Sequence, residues 1–405
     1  MAFGIALSGI AASQSDLDVT ANNIANSETT GYKQSRTQFS ELFSTSLQGV
    51  SNLQTGNGVR VSTIAQQFSQ GNISTSSNSL DLAINGSGFF VVSDAGALQY
   101  TRAGEFTTDA SGNVVNAAGQ RLQVYPPSNN GNFNTSTLSD VQLSTNQSPP
   151  SATTEAETVF NLPADASQPT VTTFDPTNSA SFNKSTSVTV YDSLGAAHTS
   201  TLYFVKTANP NEWQTNLYID GTAVGTAQTL TYSSSGALTS PTTVTNFGSY
   251  TPTTGAAAMS IDFDFTQSTQ YGSSFGVSSI TQDGYTTGQL SGISVDASGV
   301  VQANFTNGQS VSLGKVAIVT FANPQGLQKV DNTNWVETFA SGQPVRGEAG
   351  TSGFGSLQSG ATESSNVDVT KQLVNMIVAQ RNYQANAQMI STEKSITETI
   401  ISMAR

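Results

Sequence analysis

Hydrophobic residues recur every seven positions at both ends of the chain, and the long middle of the chain lacks this repeat. Near the N-terminus the repeat consists of Phe3, Ile10, Leu17 and Ile24. Near the C-terminus the positions equivalent to a and d of a heptad hold Leu373, Met376, Tyr383, Ala387, Ile390, Thr397 and Ile401. A sustained seven-residue repeat places one stripe along a helix and favours pairing of helices. The pattern predicts amphipathic helices over residues 3–25 and 367–403.

The middle of the chain alternates between apolar and polar residues, as β-strands do. The segment LDLAINGSGFFVV changes from alternation to a continuous apolar run at Asn85-Gly86, which predicts a β-hairpin there. Further alternation occurs in SVTVYD, STLYFVK, WQTNLYID and IDFDF within residues 151–282. A turn is predicted at Asp220-Gly221, directly after WQTNLYI. The predicted fold is therefore a mainly β, multidomain body with α-helical N- and C-terminal segments that pair as a coiled coil in a helical assembly.

Proline pairs and changes of pattern suggest where the domains begin and end. Pro126-Pro127 and Pro149-Pro150 interrupt the strand pattern, and from Asp283 the pattern resembles that of residues 71–125 again. The second β segment is therefore predicted to be an insertion into the first. The predicted divisions are an N-terminal helix at 1–31, a connector at 32–70, an inner β domain at 71–145 and 283–358, an inserted outer β domain at 146–282, and a C-terminal helical segment at 359–405. The last helix is predicted to start near Asn366 as its N-cap.

A terminal helix of this kind is marginal by itself. Burying Phe3, Ile10, Leu17 and Ile24 would contribute about 6–12 kcal/mol, at about 1.5–3 kcal/mol for each side chain. Ordering the backbone costs about 1–2 kcal/mol for each residue, which exceeds that gain over a whole helix. The helices should therefore form fully on packing, either against neighbouring subunits or against each other in an intramolecular hairpin that closes the domain.

Composition and charge restrict the partners of the chain. Charged residues make up 10% of the sequence, against roughly 25% in ordinary globular proteins. The formal net charge is −13, and the 14 Lys and Arg residues form no cluster. We therefore expect no nucleic acid and no anionic membrane surface as a partner. An apolar run of about 18 residues is absent from the sequence, so no membrane insertion is expected. The N-terminal segment also lacks the basic residues of a cleaved signal peptide.

The sequence offers little material for catalysis. It contains no Cys and one His, which argues against thiolate chemistry, a zinc site and a His-based triad. Gly272–Gly276 satisfies the G-x-S-x-G pattern of hydrolases, but no helix pattern follows it and His198 precedes it. The DASG segments at 109–112 and 296–299 are typical of turns. We therefore expect no enzyme activity, no catalytic residues, no cofactor and no metal.

Five segments resemble those of a known family. ALSGIAASQSDLDVTANNIANSETTGYK resembles the N-terminal motif of the bacterial flagellar axial proteins, the rod and hook family, and NVDVTKQLVNMIVAQRNYQANAQMISTEKSITETI resembles their C-terminal motif. LDLAINGSGFFVV and YTRAGEFTTDASGNVVNAAGQRLQVY resemble the β domain that the distal rod and hook share. The insertion, with SVTVYDSLGAAHTSTLYFVKTANPNEW, is similar to the outer domain of hook members.

The resemblance implies that the terminal helices line the channel of a helical tube, with the inserted domain facing solvent. It implies packing and hydrogen-bonding roles between helices of neighbouring subunits, and no catalytic role. The residues that match the two motifs are Asn22, Asn23, Ile24, Asn26 and Gly31 at the N-terminus, and Leu373, Met376, Gln380, Arg381, Tyr383, Gln384 and Asn386 at the C-terminus. The predicted subunit-assembly site consists of these residues other than Gly31 and Gln384, together with the stripe residues Phe3, Ile10, Leu17 and Ile390.

The same resemblance implies a hook, which is a short, curved, self-assembling tube that acts as a universal joint in flagellum-dependent motility. The implied partners are further copies of the chain, rod and hook–filament junction proteins, the hook cap and the flagellar type III export apparatus. The implied location is the extracellular hook of the basal body, reached without cleavage of a signal peptide. A distal rod subunit is an alternative, although it should lack an insertion as long as residues 151–282. A secreted β-rich adhesin or surface hydrolase would not need heptads at both ends.

Overall fold

The computed structural model describes residues 2–42, 56–128, 132–143 and 147–403. It is mainly β, with one long helix at each end of the chain, and this confirms the predicted fold class. Helix α1 spans Ala2–Ala25 and helix α2 spans Val369–Met403. No helix in these ranges combines the length and the hydrophobicity that crossing a membrane requires.

The strands fall into three groups along the chain. The first group is β1 (Ser35–Glu41), β2 (Val59–Gln66), β3 (Ile73–Thr75), β4 (Leu82–Asn85), β5 (Phe89–Asp94), β6 (Ala97–Thr101), β7 (Thr107–Thr108), β8 (Val114–Val115), β9 (Arg121–Tyr125) and β10 (Ser139–Asp140). The second group is β11 (Glu155–Pro163), β12 (Lys184–Tyr191), β13 (Ala197–Lys206), β14 (Glu212–Ile219), β15 (Thr222–Tyr232), β16 (Leu238–Ser240), β17 (Thr245–Tyr250), β18 (Met259–Asp264), β19 (Thr269–Tyr271) and β20 (Gly276–Gln282). The third group is β21 (Leu290–Val295), β22 (Val300–Phe305), β23 (Ser310–Thr320), β24 (Gln328–Lys329), β25 (Asn334–Val336), β26 (Val345–Glu348), β27 (Ser356–Ser359) and β28 (Ala361–Glu363).

The chain divides into two compact units. Unit 1 comprises Met1–Thr145, Gly292–Asn304 and Ser310–Arg405, and unit 2 comprises Asn146–Ser291 and Phe305–Gln309. Unit 1 is built on a sheet with the strand order β21-β22-β23-β9-β5-β6-β25-β24. The buried aromatic rings of Phe89, Tyr100 and Trp335 lie at the centre of its core. Strands β1 and β2 form a separate antiparallel ribbon that packs beside α1.

The predicted hairpin at Asn85-Gly86 is wrong. Strand β4 pairs with β27, and β5 pairs with β6, β9 and β23, so the strands on either side of this dipeptide do not pair with each other. Gly86 and Gly88 adopt φ angles of 115° and 135°, in the region that favours glycine. The dipeptide therefore bends the chain from one sheet into the next.

Unit 2 contains two sheets that share one core. One sheet has the antiparallel order β12-β13-β14-β15-β16, and the other places β11 between β18 and β20. The predicted turn at Asp220-Gly221 is confirmed, because the two residues join β14 to β15 with φ angles of 48° and 77°. On β18 the side chains of Ile261 and Phe263 are buried, as the IDFDF alternation predicts.

The predicted N-cap of the last helix is wrong by two residues. Helix α2 begins at Val369, and the Asp368 carboxylate accepts a hydrogen bond of 3.1 Å from the Lys371 amide, as an N-cap does. The side chain of Asn366 instead contacts the connector, where it accepts from the Gln34 amide and donates to the Gln67 carbonyl, each at 2.8 Å. Asn366 therefore ties the start of α2 to the chain that follows α1.

Candidate assembly surface of the terminal helices

The two terminal helices pack against each other in an antiparallel pair. The side chain of Asn23, near the end of α1, donates to Gln372 near the start of α2 at 3.4 Å. Towards the other end of the pair, a Cβ on Gly9 would lie 2.6 Å from Asn386 Oδ1. The intramolecular pairing that the sequence left open is therefore present within a single protomer.

Small and polar residues form the contact between the helices. In α1, Ala6, Ser13 and Thr20 are buried at intervals of seven residues. In α2, the buried residues are Gln372 and Ala379, again seven residues apart. Small side chains let helix backbones approach closely but bury little apolar area, so this contact contributes modest hydrophobic stabilisation. The seven-residue repeat is correct, but the intramolecular contact uses a neighbouring stripe of each helix.

The predicted apolar stripes lie at the margin of this contact or outside it. Phe3 is 52% exposed, and Leu373 is 48% exposed. The half-buried members of the predicted site are Ile10, Leu17, Ile24, Asn26, Met376, Asn386 and Ile390. The other members with exposed side chains are Asn22, Gln380, Arg381 and Tyr383.

One side of α2 presents a continuous apolar surface. Leu373, Val374, Ile377 and Val378 are each about half exposed. Leu7 on α1 is also about half exposed. Consecutive apolar side chains on one helix face are unusual for a surface that remains in water and mark a contact site.

The asparagines of the N-terminal motif join α1 to the rest of unit 1. Asn23 is buried; its amide group donates to the Ser35 carbonyl at 2.8 Å and accepts from the Ser35 amide at 2.9 Å. The Tyr32 hydroxyl donates to Asn22 Oδ1 at 2.8 Å. Asn26 Nδ2 donates to the carbonyl of Asn22 at 2.9 Å, which closes the end of the helix. In the single protomer these side chains therefore fix the direction in which α1 leaves the connector.

A buried cluster of three charges lies directly beyond this junction. Lys33 Nζ is 2.5 Å from Glu363 Oε1, and Arg102 Nη1 is 3.0 Å from Glu363 Oε2. The side chains of Lys33 and Glu363 are fully buried, and that of Arg102 is 6% exposed. We call Lys33, Arg102 and Glu363 the charge clasp. It joins the segment that follows α1 to the segment that precedes α2.

Hydrogen bonds to the backbone complete the charge clasp. Lys33 also donates to the Ser69 carbonyl at 2.8 Å, and Arg102 donates to the Gly86 carbonyl at 2.7 Å. Burial lowers the pKa of both Lys33 and Arg102, and the Glu363 carboxylate opposes this by favouring their charged forms. One carboxylate therefore neutralises two buried cations, and removing it would leave both without a counter-charge.

Gly31 allows the backbone to enter this crowded region. Its φ angle is 69°, and its amide donates to the Glu363 carbonyl at 2.7 Å. A Cβ at this position would lie 2.3 Å from the Ala103 amide nitrogen. Gly31 thus acts within the protomer, at the junction of the helices with the β body.

Sequence reasoning did not identify Lys33, Arg102 or Glu363 as functional residues. The sequence offered one indication that these residues matter, namely that charged residues are rare and make up only 10% of the chain. Lys33 and Glu363 are separated by 330 positions, so the pattern along the chain does not reveal their pairing. Their contact depends on the return of the C-terminal segment to β3, which pairs with β28.

Four protein families match successive parts of the chain. Residues 3–33 match "Flagella basal body rod protein", and residues 358–403 match "Flagellar basal body rod FlgEFG protein C-terminal". Residues 83–173 match "Flagellar hook protein FlgE/F/G D1 domain", and residues 161–285 match "Flagellar basal body protein FlaE D2 domain". The two terminal matches cover the helices and the junction described above.

Similar proteins match the chain from end to end. The flagellar hook protein FlgE of Escherichia coli (strain K12) is 38% identical, and that of Salmonella typhimurium is 37% identical, with all of both chains covered in each comparison. The FlgE of Borreliella burgdorferi is 32% identical over 98% of this chain and 97% of that protein. The crystal structure of Helicobacter pylori flagellar hook protein FlgE2 shares the fold, with a TM-score of 0.52 and 15% identity over 70% of this chain and 99% of that chain. The chain belongs to the flagellar hook protein FlgE family, whose members are structural proteins of the flagellar hook.

Proposed function

We propose that the chain polymerises with identical copies into the curved tube of the flagellar hook, which acts as a universal joint between rod and filament. The observation that carries this proposal is the apolar surface of α2, where Leu373, Val374 and Ile377 are about half exposed in one protomer. Covering such side chains removes apolar area from water and stabilises the assembly. A second copy of the chain supplies a helix of the same kind.

A groove beside the helix pair is suited to receive these side chains. It has a volume of about 510 Å³ and is lined by residues of α1, α2 and the β1–β2 ribbon. Much of its wall is formed by the small residues Gly9, Ala12, Ala379 and Ala385. The groove therefore has room for large side chains of a neighbouring subunit. Apolar ridges that enter grooves of small residues are a common mode of helix packing.

The predicted assembly residues take two roles in this proposal. Phe3, Leu373, Gln380, Arg381 and Tyr383 are exposed in one protomer and make contacts between subunits. Asn22, Asn23 and Asn26 hold α1 in a fixed direction relative to the β body. The remaining residues lie at the margin of the helix pair and contribute to both: Ile10, Leu17, Ile24, Met376, Asn386 and Ile390.

The two β units divide the mechanical work of a universal joint. The inner β domain, assigned to 71–145 and 283–358, holds its neighbours together with the helical segments at 1–31 and 359–405. The inserted outer domain, assigned to 146–282, slides against its neighbours as the tube bends. Its surface is rich in Ser, Thr and Asn, and such groups exchange hydrogen bonds with water at low net cost. Replacing the insertion with a short Gly/Ser linker should therefore leave a tube that is straight.

The remaining assignments follow from a structural role in the hook. The chain catalyses no reaction and requires no cofactor. Its partners besides identical copies are rod proteins, hook–filament junction proteins, the hook cap and the export apparatus, and it binds no nucleic acid and inserts into no membrane. It reaches the extracellular hook through the flagellar type III apparatus with its N-terminus uncleaved.

Polymerisation of purified protein tests the proposal. We expect the wild-type chain to form curved tubes visible by electron microscopy. Leu373→Asp places a charge on the apolar surface of α2, where burial without a partner costs several kcal/mol in each subunit. The critical concentration should therefore rise by at least about 100-fold, because each 1.4 kcal/mol corresponds to a factor of ten.

Val244→Asp is the matched control. Val244 is 45% exposed, close to the 48% of Leu373, but it lies in unit 2. This variant should polymerise at the wild-type concentration. If Leu373→Asp forms tubes as readily as the wild type, the apolar surface of α2 is not the contact between subunits.

A further inference from the structure

His198, the one histidine of the sequence, lies on β13 between two carboxylates. Its Nδ1 is 2.6 Å from Asp220 Oδ2, and its Nε2 is 3.2 Å from Asp192 Oδ2. A carboxylate oxygen accepts hydrogen bonds, so both ring nitrogens must carry a proton to satisfy the two contacts. Neutral imidazole has one N–H, whereas the charged imidazolium has two. The geometry therefore fits the charged ring.

Other bonds hold the two carboxylates in place. Asp192 Oδ1 accepts from the amides of Leu194 and Ala196, each at 2.9 Å, within the turn that joins β12 to β13. Asp220 Oδ1 accepts from the Thr199 amide at 2.9 Å. Because the carboxylates are anchored in this way, neither can turn aside when the ring loses a proton. An unprotonated ring nitrogen would then face a carboxylate oxygen, which is repulsive.

The groups that face the ring favour its positive charge. They are Asp192 from the β12–β13 turn, Asp220 from the β14–β15 turn, and Tyr250 at the end of β17, whose ring centroid is 5.8 Å away. Burial lowers the pKa of His198, but the hydrogen bonds to Asp220 and Asp192 outweigh burial and raise that pKa above its ordinary value. No group of three or more acidic and histidine side chains in the described ranges is suited to hold a metal ion.

This cluster joins separate segments of unit 2. Thr254 donates to Asp192 Oδ2 at 3.0 Å, and the Ala257 amide donates to Ser193 Oγ at 3.0 Å, so the loop at 251–258 rests on the turn. The adjoining Tyr191 exchanges hydrogen bonds of 2.9 Å with Thr153, near the point where the chain enters the unit. The charged ring thus stabilises a junction of three segments.

We propose that His198, Asp192 and Asp220 form a proton-dependent latch that holds the loop at 251–258 against the β12–β13 turn. The latch is closed while the ring is charged and loosens when the ring loses its proton. It belongs to unit 2 and does not depend on the proposed polymerisation.

The direction of the pH dependence follows from linkage. A group whose pKa is raised in the folded protein stabilises that state fully below its unfolded pKa, which is about 6.5 for histidine. This stabilisation is lost as the pH rises through the folded pKa. The latch should therefore be closed in acidic solution and open in alkaline solution.

Because the chain has a single histidine, its ring signals can be followed without ambiguity by NMR in the full-length protein. We expect a titration midpoint above about 6.5. Hydrogen exchange of residues 251–258, corrected for the intrinsic effect of pH, should become several-fold faster above that midpoint. A midpoint at or below about 6.5, or loop exchange that does not follow the titration, would overturn the proposal.

Two variants and one control sharpen the test. Asp220→Asn keeps an acceptor but removes a negative charge, so the midpoint should fall. His198→Gln removes the titrating group, so loop exchange should no longer change with pH beyond its intrinsic dependence. Asp165→Asn removes an exposed carboxylate elsewhere in unit 2 and should leave the midpoint unchanged. Retention of the wild-type pH dependence by His198→Gln would also count against the latch.

Discussion

The Lys33 ammonium donates to the Glu363 carboxylate at 2.5 Å across a separation of 330 residues, and both side chains are fully buried. Lys33 follows the N-terminal helix closely, and Glu363 lies shortly before the C-terminal helix. Their contact therefore fixes both helices to the same point of the β body. If the helices form the inner wall of a tube, a force on them reaches the β body through this contact.

Glu363→Gln should destabilise unit 1 strongly, because it leaves Lys33 and Arg102 buried without a counter-charge. Breaking a buried ion pair costs about 3–5 kcal/mol. Lys33→Met should cost less than Glu363→Gln, since Arg102 still neutralises Glu363. Urea unfolding followed by the fluorescence of Trp335, in the core of unit 1, measures the free energy of unfolding of both variants.

Arg121→Met is the control, because it breaks an exposed pair with Asp140 and should have little effect on stability. Equal stability of Glu363→Gln and Arg121→Met would show that the charge clasp does not hold the unit together.

Gly31→Ala should destabilise the junction for two reasons. A non-glycine residue at a φ angle of 69° costs about 1–2 kcal/mol. The added Cβ would in addition lie 2.3 Å from the Ala103 amide nitrogen. Gly119→Ala is the control, because Gly119 has a φ angle of 78° and no atom within 4 Å of an added Cβ. Thermal unfolding should show a clearly larger loss for Gly31→Ala, and equal losses would mean that the close approach is relieved without cost.

The sequence predicted the two helices and the seven-residue repeat, because both arise from local periodicity. It did not predict which stripe of each helix faces the other. The largest apolar residues, such as Leu373, mark a surface for burial but not the partner that buries it. The intramolecular contact instead uses small residues such as Ala379, whose burial leaves little trace in the hydrophobic pattern.

The turns also show that local sequence patterns do not determine which elements contact each other. Asp220-Gly221 forms the predicted turn, and this turn closes a hairpin because the two strands that flank it pair with each other. Asn85-Gly86 has equally good turn chemistry, yet β4 pairs with β27 from the far end of the sequence. Local propensity therefore predicts that the chain turns at a position, whereas pairing depends on contacts that a single sequence does not reveal. The charge clasp was missed for this reason too.

Ala379→Leu should force the helix pair apart. Ala379 is 1% exposed in the contact with α1, and extra methyl groups in a packed site cost about 1–3 kcal/mol. Val378→Leu adds a methylene at the neighbouring position, which is about half exposed, and should be tolerated. Far-ultraviolet circular dichroism during heating reports the helices. We expect the helical signal of Ala379→Leu to melt at a lower temperature, and an unchanged melting curve would contradict the packing of the pair.

A fragment of residues 147–288 should fold by itself. It keeps the core formed by Phe160, Trp213 and Phe263, and the bridge between Ser148 and Gly288 that closes the base of unit 2. We expect a soluble, β-rich monomer in which the fully buried Trp213 fluoresces at short wavelength. A shorter fragment, 165–288, is the matched control.

The shorter fragment lacks β11, which lies between β18 and β20 and pairs with both. Its removal exposes the edges of both neighbouring strands and takes Ala156, Phe160 and Leu162 out of the core. Burying a large apolar side chain contributes about 1.5–3 kcal/mol, so their loss removes a large part of the stability of a small domain. The control should therefore be unfolded or aggregated, with Trp213 exposed to water. If 147–288 gives a random-coil spectrum, unit 2 depends on unit 1 for folding. If 165–288 folds as well as 147–288, β11 is not the strand that holds the sheet together.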